Sequence, residues 1–96
     1  MKPRHTFAKA LKEIRKARCL TQEDFSVVSS RTYVSILERG LKSPTLDKVD
    51  DLAEIMKIHP VTLMALAYVK STNMKDINDL CKIVRNELSE ILDQKS

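Results

Sequence analysis

The sequence predicts an all-α fold: five short helices closing into one compact domain, residues 1–69, and one longer amphipathic helix over 70–96. Three observations carry this. A chain of 96 residues has the length of one domain with one modest core. One glycine and three prolines are too few for the closely spaced turns of an all-β chain. Apolar residues recur at helical spacing along most of the chain.

The first helix is predicted from about Phe7 to Arg18, with Thr6 as N-cap. Phe7, Ala10, Leu11, Ile14 and Ala17 make one apolar stripe, and Lys9, Lys12, Lys16 and Arg18 decorate the rest. The second helix is predicted after Thr21. Thr21 and Asp24 approximate a capping box, Gln22 and Glu23 complete an acidic first turn, and Phe25 and Val28 point inward. A third starts after Ser29 or Ser30 and ends at Gly40 as a left-handed stop. Ser43, Pro44 and Thr45 then turn the chain, and Thr45 caps the fourth helix with its stripe of Val49, Leu52, Ala53 and Met56. His59 and Pro60 open the fifth, with Leu63, Leu66 and Ala67 as core residues.

After Lys70 comes the break "STN", where Asn73 can cap a last helix running to about Asp93. Met74, Ile77, Cys81, Val84, Leu88 and Ile91 alternate spacings of three and four, a heptad seam that Leu80, Ile83 and Leu92 broaden. Two readings follow. The seam of Ile77, Cys81, Val84, Leu88 and Ile91 pairs with a second copy of the chain, or the helix folds back over the first and fifth helices and caps the core.

Charge divides the chain. Residues 1–42 hold ten Lys and Arg against four acids, a balance of +6, and residues 43–96 hold seven against nine, a balance of −2. A basic half suggests a polyanionic partner, although a solvated basic helix face would give the same count. No segment approaches the ~18 uninterrupted apolar residues of a membrane helix, and the N-terminus lacks an apolar run of secretory length, so a soluble cytoplasmic protein is expected. Cys19 and Cys81 are expected to stay reduced and to pack as small apolar residues. His5 and His59 have no partners at metal-ligand spacing, so neither a metal nor a cofactor is expected. No Ser/His/Asp or Cys/His set and no glycine-rich phosphate loop can be assembled, which excludes the common enzyme classes.

Projected at about 100° per residue, the third helix separates into two faces. Val34, Leu37 and Leu41 cluster on one side with Glu38 beside them. Thr32, Ser35, Ile36 and Arg39 lie opposite, flanked by Arg31. Short polar and cationic side chains suit a helix that enters a major groove about 12 Å wide.

In order, "LKEIRKARCLTQEDF", "SRTYVSILERG" and "SPTLDKVDDLAEIMKIHPVTL" resemble the phage-repressor/Cro-like (XRE) helix-turn-helix family over residues 7–66. The resemblance implies a double-stranded DNA-binding regulator whose third helix, about 30–39, reads the major groove. It implies base-facing positions at Arg31, Thr32, Ser35 and Ile36. Arg31 would suit guanine, and Ile36 a thymine methyl. By the same resemblance Gln22, Tyr33, Arg39, Lys42 and Ser43 meet phosphates, which set affinity and register rather than sequence. It pairs Glu38 with Arg15 structurally, which agrees with the cost of leaving a charge unpaired at the edge of the inward face.

Two departures stand out. Between Phe25 and Ser30 the family pattern has two further residues, often with a glycine. Here "SVVS" must make the turn, so the second helix is shorter or the turn follows another path. Cys19 occupies a position often held by a glycine, where a side chain would cost roughly 1 kcal/mol at positive φ, so the first helix is expected to end differently.

The function expected is a dimeric repressor or controller on a pseudo-palindromic operator, associated with the nucleoid when bound and without a small-molecule ligand. A DNA-binding antitoxin that masks a toxin partner is the alternative, and an interaction module that has lost DNA binding a third.

Overall fold

The computed structural model describes residues 3–93 and the side chains from Thr6 onward; the His5 side chain lies outside them. Five α-helices are joined by short turns: α1 Pro3–Ala17, α2 Arg31–Glu38, α3 Leu46–Met56, α4 Pro60–Tyr68 and α5 Met74–Asp93. Between α1 and α2 the second predicted helix is a single 3-10 turn, Gln22–Phe25. This is the shortened form that the two missing residues require. No described helix is long and apolar enough to cross a membrane.

The core gathers one stripe from each of the first four helices. Phe7, Ala10 and Leu11 meet Phe25, Val34, Leu37, Val49, Leu52, Met56, Leu63 and Ala67, all buried. Leu66 is only partly buried against this cluster. The helices α1 and α4 make the most extensive packing, and α1 also holds α2.

Helix α1 begins earlier than the sequence suggested. Proline at the first helical position has no N–H to leave unpaired and its fixed φ favours a start there, so Thr6 lies inside the helix rather than capping it. At the far end Ala17 is exposed, because the stripe has run past the core. The stop itself contradicts the expectation for Cys19. That residue takes φ 58°, as the family's glycine would. The Cys19 N–H donates to Lys16 O at 3.0 Å, and Leu20 N–H to Arg15 O at 3.0 Å. This paired arrangement satisfies the orphan carbonyls of a helix end and offsets the cost of the left-handed residue. Gly40 (φ 72°) and Lys57 (φ 59°) close α2 and α3 in the same manner.

Gly40 also corrects the projection of the third helix. The left-handed turn breaks the helical direction, so Leu41 swings outward and is 57% exposed, while Val34 and Leu37 stay buried. Both cysteines are free and exposed rather than packed. The terminal helix lies beside α4 with its apolar side only partly covered, Ile77 and Leu80 being half-buried. Helix α5 buries none of its residues fully, and Val84, Leu88 and Ile91 remain exposed. Its start follows the sequence: Asn73 Oδ1 accepts the Asp76 N–H at 2.8 Å, and Ser71 Oγ donates to Asp76 Oδ2 at 2.7 Å.

Candidate nucleic-acid interface

Helix α2 is anchored at both ends. Ser30, the second of the two candidate serines, caps it: its Oγ accepts the Tyr33 N–H at 3.0 Å. At the other end Gly40 turns the chain into the exposed loop that carries Lys42 and Ser43.

The inward edge is held by charge. Arg15 Nε donates to Glu38 Oε2 at 2.6 Å, and Nη2 donates to Oε1 at 3.0 Å. Little of either side chain is exposed, 12% and 4%. Arg15 Nη1 donates in addition to Leu20 O at 2.8 Å. One guanidinium thereby braces the stop of α1 and the flank of α2. Gln22, on the 3-10 turn, donates through Nε2 to Glu38 Oε1 at 3.2 Å. The hydrogen bond from Arg15 to Glu38 raises the guanidinium pKa above its usual value; burial opposes this, and the carboxylate charge adds to the rise.

The turn before α2 answers the question raised by "SVVS". Phe25 O accepts two donors, Val28 N–H at 2.9 Å and Ser29 N–H at 2.8 Å. Val28 O is then taken by Lys48 Nζ, reaching over from α3, at 2.8 Å. The same ammonium lies 5.5 Å from the centroid of the Tyr33 ring. No left-handed residue is used between Phe25 and Ser30, so no glycine is required.

The outward arc of α2 carries the residues that the sequence singled out. Arg31, Thr32 and Arg39 are exposed, and Ser35 and Ile36 are half-buried. Arg31 lies 3.7 Å from Glu23 across the surface, an exposed contact that leaves it free to move. Arg39 Nε rests on Ser35 O at 3.4 Å. Tyr33 is half-buried against Lys48 and stands apart from this arc. Gln22 is half-buried at the start of the 3-10 turn, with its amide nitrogen on Glu38. Lys48 was not singled out in the sequence. A signal existed: a lysine in the first turn of a helix opposes the dipole, which favours acids there.

Away from this face, α4 and α5 enclose an apolar groove of about 550 Å³. Val61, Met64 and Tyr68 line one side, and Leu80, Cys81, Val84 and Leu88 the other.

A protein-family model described as helix-turn-helix matches residues 11–63, from the middle of α1 into α4. No curated protein and no solved structure matches the chain.

Proposed function

Because the chain belongs to the XRE-type helix-turn-helix family of DNA-binding regulators, we propose that it is a sequence-specific transcription regulator that lays α2 in the major groove of double-stranded DNA. The carrying observation is the Arg15–Glu38–Gln22 lock, which fixes α2 by its inward edge and leaves the arc of Arg31, Thr32, Ser35, Ile36 and Arg39 turned outward. Arg31 and Thr32, at the N-terminal end of that arc, are the leading base readers, with Arg31 suited to guanine O6 and N7. Gln22, Arg39, Lys42 and Ser43 then meet phosphates and set register. Tyr33, held beside Lys48, completes the backbone contacts at one edge.

The chain acts as a homodimer through α5, most simply as a repressor. Support comes from the exposed seam of Val84, Leu88 and Ile91, continued by Ile77, Cys81 and the groove against α4. An isolated soluble monomer rarely exposes an apolar patch of more than a few hundred Å², and pairing two copies covers it. Two-fold symmetry would place the two α2 helices on half-sites about one helical turn apart.

Selection of binders from a random duplex library tests the reading. The full chain is expected to enrich an inverted repeat, with affinity falling steeply as salt rises. No enrichment, or salt-independent binding, would overturn it.

A further inference from the structure

We infer that Lys48 is a positioning residue for α2: it closes the glycine-free turn and holds Tyr33, and so sets the angle at which the helix meets DNA. The inference rests on the DNA-reading role proposed above. Lys48 lies on the first turn of α3, twenty residues from the carbonyl that it engages. Its ammonium joins three elements. It donates to Val28 O at 2.8 Å, at the end of the turn. It sits 5.5 Å from the centre of the Tyr33 ring, on the first turn of α2. Its own backbone N–H is taken by the Thr45 cap of α3 at 3.1 Å.

The chemistry suits this role. Among the described residues Lys48 forms no ion pair, so its charge is spent on a carbonyl dipole and an aromatic face. Both contacts strengthen with partial burial, and Lys48, Val28 and Tyr33 are each half-buried. A lysine serving phosphate would reach into solvent instead. Val27, at the tip of the turn, is 85% exposed, so its side chain adds little packing to hold the turn.

Lys48→Met keeps the aliphatic stem and removes the ammonium. In the full chain, affinity for the selected repeat should fall about tenfold, while affinity for random duplex and the salt slope stay close to those of the unsubstituted chain. Equal loss on all duplexes, with a slope reduced by about 1, would make Lys48 a phosphate contact and overturn the inference. So would a lowered melting temperature with an unchanged ratio of specific to random binding. A second measurement covers a variant that fails to fold. In the unsubstituted chain the ring current of Tyr33 should shift the Lys48 Hε protons upfield, and Tyr33→Leu should abolish the shift. Its absence would overturn the inference even if DNA is bound. If no duplex is bound but the shift is present, the DNA reading fails while the Lys48 tie stands.

Discussion

Arg15 and Glu38 meet across the α1–α2 packing as a two-point pair, with both carboxylate oxygens taken by one guanidinium. The pair has low exposure and further bonds to Leu20 O and Gln22. Removing one partner therefore strands a charge that has little access to water.

Glu38→Gln and Arg15→Met should each destabilise the chain by about 2–4 kcal/mol, less than for a fully buried pair because the site borders solvent. For a domain of this size that lowers the melting temperature by roughly 10 °C or more. Replacing both residues by apolar ones should recover a large part of the loss. A double-mutant cycle by thermal melting measures it, and additive losses would show that the two act independently. The pH dependence follows in sign. Glu38 raises the Arg15 pKa, so the stabilisation is complete below the unfolded value and is lost only as pH rises through the folded one, in strong alkali. The stability gap between the chain and Arg15→Met should therefore be the same at neutral and mildly alkaline pH.

Arg31→Ala and Lys42→Ala separate reading from holding. Arg31→Ala should cost about 1–3 kcal/mol on the selected repeat and relax one base position. Lys42→Ala should weaken every duplex alike and reduce the salt slope by about 1. Titrations at several salt concentrations on matched and scrambled duplexes check both. Equal loss on scrambled DNA would remove Arg31 from the base readers.

Cys19 and Gly40 share a backbone shape and should respond oppositely to exchange. Gly40→Ala places a methyl group at φ 72° and should cost about 1 kcal/mol. Cys19→Gly relieves the same strain at φ 58°, less the entropy gained by the unfolded chain, and should stabilise by up to about 1 kcal/mol. Denaturant melts of the two variants decide the sign.

What could be read from the sequence was what depends on near neighbours. The stripe of Val49, Leu52, Ala53 and Met56 is buried as its spacing implies, and the caps Ser30, Thr45 and Asn73 each accept a backbone N–H. The exposure of Arg31, Thr32 and Arg39 on α2 was legible too, because helical projection needs only one element, while Ser35 and Ile36 are half-buried. Long-range effects escaped. Lys48 closes the "SVVS" turn from α3, and nothing local to that turn announces it. Cys19 disfavours a left-handed stop, yet the Arg15 bond to Leu20 O helps to impose one. Leu41 was misplaced because projection carried the helix straight through the bend at Gly40.

Val84→Glu and Leu88→Glu test the assembly. Both residues are roughly half-exposed on α5 and lie outside the core. A charge at either should leave the fold of a single chain intact. Placed in a seam between two copies, the same charge is buried opposite its own image, which costs several kcal/mol. Light scattering should report the unsubstituted chain as a dimer and the variants as monomers. The melting temperature of the unsubstituted chain should rise with concentration, and that of the variants should not. Affinity for the full inverted repeat should fall much further than affinity for a single half-site, since losing the link between two α2 helices removes their effective concentration and leaves each contact in place. Dimers that persist in both variants would move the interface away from α5.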